Sequence, residues 1–259
     1  MGFLPNLDKA PSTDHDRKTG FARLWEILSR DLKKFFGSGF LALAGCTPFI
    51  LGAVLSLDNH VLLYAALLGL IGGMLAGPEL CCLADTVLRS LRDEPGFWWH
   101  TYRRVWKRNA AASLLPGAAG GLLLGTQLFL LLHTGALGLS TAMGGALVAG
   151  ILIVLGLSLY VWPQLALMEL SFPQLLKNAG LLFLGQLPRS IAALAILTVY
   201  CGGILRFFTL AVTLLPFTNL WIPVVPALLL IYPGLESSFQ IEKRIKALDT
   251  TIKEPEDSD

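Results

Sequence analysis

Long uncharged stretches alternate with short polar ones along this chain. Between Phe35 and Ala84 the only side chains charged at neutral pH are Asp58 and Glu79. From Ala110 to Met168 there is none, with His133 interrupting the run. About 20 consecutive apolar residues suffice to cross the hydrocarbon of a bilayer as a helix. The pattern therefore predicts an all-α, polytopic integral membrane protein of about six transmembrane helices, with expected spans at 35–57, 61–84, 110–132, 142–168, 180–206 and 214–232. "LDNH" (Leu57–His60) forms a short turn between the first two spans, and "HTGALGLST" (His133–Thr141) joins the middle pair. The last pair has no polar loop, only "FFTLAVTLLPFTNLWIP" with its prolines. A polar N-terminal tail (1–20), a single membrane domain (21–248) and an acidic tail (249–259), expected to be disordered, complete the organisation.

Charge placement predicts orientation. Lys and Arg number 7 in residues 1–34, 6 in 85–109, 1 in 169–179 and 4 in 233–259; the turns at 57–60 and 133–141 contain none. Cytoplasmic loops retain cations, so both termini are expected in the cytoplasm. Two basic, aromatic segments precede spans. Phe21, Leu24, Trp25, Leu28, Leu32 and Phe35 fall at helical spacing beside Arg23, Arg30, Lys33 and Lys34. Phe97, Trp98, Tyr102, Val105 and Trp106 repeat the arrangement beside Arg103, Arg104, Lys107 and Arg108. These are expected as in-plane amphipathic helices on the cytoplasmic side, cations toward anionic headgroups. Membrane lipids are thus the first expected partners.

Three hairpin-like pseudo-repeats are visible. "KRNA" (Lys107–Ala110) and "LKNA" (Leu176–Ala179) open the second and third, and "LKKFF" (Leu32–Phe36) is a degenerate first copy. Each hairpin closes on Pro-x-Leu, at Pro78, Pro163 and Pro233, and each opening helix holds an early proline, at Pro48, Pro116 and Pro188. With 54% hydrophobic and 15% charged residues and a mean hydropathy of +0.64, the chain is too apolar for a water-coated globule, which carries roughly 25% charge. The net charge of +2 gives no reason to expect nucleic acid. Cys46, Cys81, Cys82 and Cys201 all lie in apolar runs, as small buried hydrophobes rather than a disulfide framework. No early apolar core marks a signal peptide.

The basic lead-in, the segment "GPELCCLADTVLRSLRDEPGFWWHTYRRVWKRN" between spans two and three, and "FPQLLKNAGLLFLGQLPRSI" entering span five resemble the YesL family of bacterial membrane proteins over most of residues 20–245. The resemblance implies a membrane protein of undefined biochemistry, an accessory component that accompanies carbohydrate uptake, with permease or other uptake-system subunits as partners. It implies no catalytic residues.

Two groups of residues are candidates for more than span-filling. Gly69, Gly73 and Gly77 in span two, and Gly117, Gly121 and Gly125 in span three, recur every fourth residue, so each set shares one helix face. They suit either tight packing within one bundle or a homodimer seam. Arg189, counted from Asn178, lies roughly 16 Å into an unbroken fifth span. A cation at that depth faces the bundle interior and finds an acceptor. Glu79 is the first expected partner, with Gln164 and Glu169 as alternatives, in an intramembrane polar centre that either binds a solute or ties the hairpins together. No histidines stand at the i,i+3 or i,i+4 spacing of helical metal ligands, and no HExxH, GxSxG, P-loop or GxGxxG occurs. Neither a metal, a cofactor nor an enzymatic activity is expected. Three functions are consistent with this reading: an accessory component for solute uptake, an autonomous transporter or channel, and a membrane scaffold or lipid-interacting protein.

Overall fold

A computed structural model describes residues 2–3, 17–94, 96–245 and 247. Most of the expected N-terminal tail and the acidic tail 249–259 lie outside the described residues. The chain folds as helices α1 (Gly20–Gly45), α2 (Thr47–Asn59), α3 (Leu62–Leu91), α4 (Trp98–Leu132), α5 (Thr141–Leu167), α6 (Phe172–Gly185), α7 (Leu187–Arg206), α8 (Phe208–Thr218) and α9 (Trp221–Phe239). A two-residue antiparallel pairing joins β1 (Gly2–Phe3) to β2 (Met168–Glu169). Helices α3, α4, α5, α7 and α9 are each long and apolar enough to cross a membrane. Taken together, α1 and α2, bent by 46°, are long and apolar enough for a sixth span. The described residues are almost entirely helical, with the five or six long apolar helices of a membrane protein.

Local chemistry sets the helix ends. Pro48 starts α2 after the break at Cys46, because a proline lacks the N–H an interior helical residue must donate. Ser140 caps α5 by accepting from the Met143 amide. Ser171 and Gln174 form a reciprocal capping box on α6. The turn residues His60 and Asp93, which close α2 and α3, adopt positive φ of 54° and 59°.

Several expected boundaries move. The basic, aromatic segments are not separate elements: α1 runs without a break from Gly20 to Gly45, and α4 is one helix of 35 residues. At 1.5 Å per residue α4 is about 52 Å long, well beyond a hydrocarbon core of roughly 30 Å, so its basic end continues the span instead of turning away from it. The expected span 180–206 is split at Gln186 into α6 and α7, again with a proline (Pro188) opening the second helix. The expected span 214–232 straddles the break between α8 and α9, where Asn219 leaves helical geometry. By contrast α5 lies within one residue of its expected limits.

The buried core is concentrated toward the basic end, where Phe35, Leu83, Leu88, Leu165, Leu175 and Ile241 pack together. Helices α3 and α4 make the most extensive contact in the molecule.

Candidate functional site

At the basic end, three arginines converge on the C-terminus of α3. Arg17, Arg23 and Arg30 donate to the carbonyls of Arg92, Leu91 and Ser90 at 3.0, 2.8 and 2.7 Å. These are among the last carbonyls of a helix, which have no partner within it and carry the negative end of its dipole. The same three guanidinium groups also surround the Asp93 carboxylate: Arg17 at 3.0 Å, Arg23 at 2.8 Å, and Arg30. Burial alone would raise the Asp93 carboxyl, but the hydrogen bonds and charge of Arg23 and Arg30 outweigh it and hold it below its ordinary value. Arg17 reaches on to Glu242 at 2.6 Å, and Glu242 accepts from the Tyr232 hydroxyl at 2.9 Å. Residues before α1, after α3 and after α9 are thereby drawn into one charged collar.

Beside the collar, Glu79 accepts from the Tyr102 hydroxyl and from Trp106 Nε1 at 2.8 Å. Trp98 Nε1 donates to Ser38 Oγ at 3.0 Å. Trp98, Tyr102 and Trp106 of the α4 lead-in therefore turn toward α1 and α3, while Phe97, Trp99, Arg103, Arg104 and Lys107 are exposed and Arg108 donates to the Ala166 carbonyl at 2.8 Å.

The expected polar centre does not assemble. Glu79 takes its partners from α4. Arg189 is exposed and has no acidic partner within ion-pair distance among the described residues. Glu169 is exposed on β2. Gln164 is fully buried, but its Nε2 donates within its own helix, to Tyr160 O at 3.0 Å. The physical reason is the break at Gln186. The depth of Arg189 follows from an unbroken helix counted from Asn178, and restarting the helix at Leu187 places Arg189 in the first turn of α7, on its outer face.

The six glycines do come together, in one antiparallel α3–α4 seam. A Cβ added to Gly73 would strike the Gly117 carbonyl and one on Gly121 the Gly69 carbonyl. Cβ atoms on Gly69 and Gly125 would lie 2.7 and 2.5 Å from the Gly121 and Ala65 carbonyls. Small residues permit this approach of backbone to backbone.

On the other side of that seam lies a partly open cleft of about 490 Å³, walled by every helix from α2 to α7 and by α9. Phe49, Gly120, Ile153, Trp162, Tyr200 and Leu228 mark its extent. Its lining is almost entirely apolar, and hydroxyls on it are already engaged. Ser158 donates to Leu155 O at 2.7 Å and Tyr200 to Asn219 O at 2.9 Å. A guest in this cleft is offered mainly apolar contact area. No sequence signal marked the cleft, because its walls come from seven helices; the glycines at 117, 120 and 121 that thin one wall were the nearest clue.

At the opposite end from the collar, His60 Nδ1 lies 3.0 Å from His133 Nε2. Helical spacing rules do not see this pair, whose members are 73 residues apart. No group of three or more His, Cys, Asp or Glu side chains is placed to hold a metal among the described residues. Comparison with known proteins finds no matching family model, no similar curated protein and no similar solved structure.

Proposed function

We propose that this protein is a non-enzymatic lipid-binding component of a bacterial plasma membrane, with one acyl chain seated in the apolar cleft and both termini on the cytoplasmic side. The observation that carries the reading is the cleft itself. Its volume is in the range of small-molecule sites, roughly 300–1,000 Å³. If a methylene takes about the space of a water molecule, ~30 Å³, the cleft accommodates on the order of 16 of them, the length of one fatty-acyl chain. Its almost wholly apolar lining favours hydrocarbon over a sugar, which needs convergent polar groups.

The exposed face of α1 supports an interfacial role. Phe21, Trp25, Leu32, Phe36 and Phe40 all point outward, while Arg23 and Asp31 are buried against the collar. That outward stripe suits the acyl boundary of the inner leaflet, with the exposed Arg103, Arg104 and Lys107 of α4 toward anionic headgroups. Cation placement supports cytoplasmic termini. The early prolines and Pro-x-Leu closures support a descent of the three hairpins from one repeated unit, with α1–α2, α4 and α6–α7 in the opening positions, the first and third broken near their prolines. An accessory role beside a carbohydrate permease, as the YesL resemblance implies, fits a protein that organises lipid at a partner's flank. Autonomous transport finds less support, because no polar path lines the cleft.

The test is native mass spectrometry of the protein released from nanodiscs. One retained phospholipid per chain is expected. Gly120 lines the cleft and a Cβ there meets nothing within 4 Å, so Gly120→Phe should obstruct the cleft without displacing backbone and sharply reduce retention in a folded protein. Equal lipid retention in wild type and Gly120→Phe would refute the assignment.

A further inference from the structure

His60 and His133 bring two turns of the chain together at the end of the bundle opposite the collar. His60 closes α2 in the left-handed region and is exposed. His133 follows the last residue of α4, is 8% exposed and stacks on Phe129 with ring centroids 4.1 Å apart. Its Nδ1 lies 2.9 Å from the Phe129 carbonyl. A carbonyl only accepts, so the Nδ1 carries the proton and Nε2 presents a lone pair toward His60. The two rings meet nearly at right angles, at 88°, and the pair is joined by a single shared proton.

A carbonyl that fixes one imidazole nitrogen and frees the other is the common support of a metal-ligating histidine. Two nitrogens bound to one tetrahedral ion at 2.0–2.1 Å stand about 3.3 Å apart. Separating His60 Nδ1 from His133 Nε2 by about 0.3 Å therefore admits a cation where the proton now lies. His60 sits on an exposed turn and provides the way in, and water completes the coordination. Asp58, one turn residue away from the pair, is the one charged side chain near it in sequence, since no Asp, Glu, Lys or Arg occurs from Asn59 to Pro78 or from Asn109 to Met168.

The geometry points to a two-imidazole site for a divalent transition ion of the Cu²⁺ or Zn²⁺ class, which clamps the α2–α3 turn to the end of α4. Imidazole binds metal in its neutral form, so the ion competes with protons and is lost on acidification. The site does not depend on what occupies the cleft.

Untagged full-length protein in nanodiscs is titrated with Cu²⁺ and, separately, Zn²⁺ at about pH 7.5 and about pH 5.5, on either side of the ordinary imidazole value. One ion per chain is expected, with two imidazole nitrogens in the Cu²⁺ paramagnetic resonance spectrum. Affinity should fall at least about tenfold at the lower pH. His60→Ala removes an exposed ligand without touching the core and should weaken binding by at least about tenfold, as should His133→Ala. Absence of binding, equal binding by His60→Ala, or a Cu²⁺ spectrum without imidazole nitrogen overturns the assignment.

Discussion

The α3–α4 seam and the wall made by α5 and α7 are packed by opposite rules. Along the seam, glycines face carbonyls of the partner helix and leave no room for a methyl group. Along the wall, Val148 and Val199 turn outward, 43% and 75% exposed, and the inward side chains border a cleft. Of the most apolar stretch of each helix, 44% is buried in α3 and 11% in α5 and in α7. Lipid tails are as apolar as leucine, so burial of apolar surface does not pull helices together in a bilayer, and close backbone approach does. The seam supplies that approach along its whole length between α3 and α4, and Gly72 against the Phe49 backbone supplies it between α2 and α3. The wall has no equivalent, and the gap it leaves is shaped for hydrocarbon.

The sharpest way to break the contrast is to put the same kind of residue change on both sides. Gly73→Leu drives a side chain into the Gly117 carbonyl, where neither backbone has a rotamer to yield. Overpacking of this kind is expected to cost about 3 kcal/mol or more, read as loss of the monodisperse peak in size-exclusion chromatography. Val148→Ala, on the wall, should change stability by less than about 0.5 kcal/mol. Comparable losses from both would mean that the wall is packed as rigidly as the seam.

A second test addresses the collar that closes the seam at the basic end. Asp93→Asn removes the one carboxylate shared by all three guanidinium groups, leaving Glu242, Glu26 and Asp31 to pair with them singly, and about 3 kcal/mol of destabilisation is expected, near the low end for breaking a buried ion pair. Because the folded carboxyl is held below its ordinary value, its contribution is complete above about pH 4, the unfolded carboxylate value. It is lost as pH falls through the lower folded value. Thermal unfolding of wild type should therefore weaken below about pH 4, and Asp93→Asn should remove much of that acid limb. An unchanged limb would assign acid sensitivity to other carboxylates. Gly120→Phe, expected to empty the cleft at little cost to stability, ranks next.

What was legible in the sequence depended on whether a signal was local. The glycine period exposed the seam residues because four-residue spacing fixes a helix face whatever the tertiary fold. Helix α5 was legible because polar residues bound it on both sides. Helices α8 and α9 were not, since "LLPFTNLWIP" offers prolines and a buried asparagine in place of a polar loop. The lead-in aromatics were recognised as a group, yet their direction was missed: an amphipathic wheel shows that Tyr102 and Trp106 share a face, not that the face meets Glu79 instead of lipid. Pairs far apart in sequence, such as Arg23 with Asp93 or His60 with His133, leave no periodic trace at all.

Arg189 provides the finest discrimination. A cation buried in a pair with Glu79 would cost about 3–5 kcal/mol to unpair, whereas an exposed one in the first turn of α7, beside the exposed Leu187 and Ile191, has no acidic partner among the described residues to abandon. Arg189→Gln is therefore expected to shift stability by no more than about 0.5 kcal/mol. The paired reading also requires that Glu79→Gln and Arg189→Gln be strongly non-additive, because residues in one ion pair couple. Independent sites add. Glu79→Gln alone should be felt through Tyr102 and Trp106, and the double variant should lose only the sum of the two. A coupling energy above about 1 kcal/mol in that cycle would bring the two residues into contact and reopen the interior of the bundle to a charged centre.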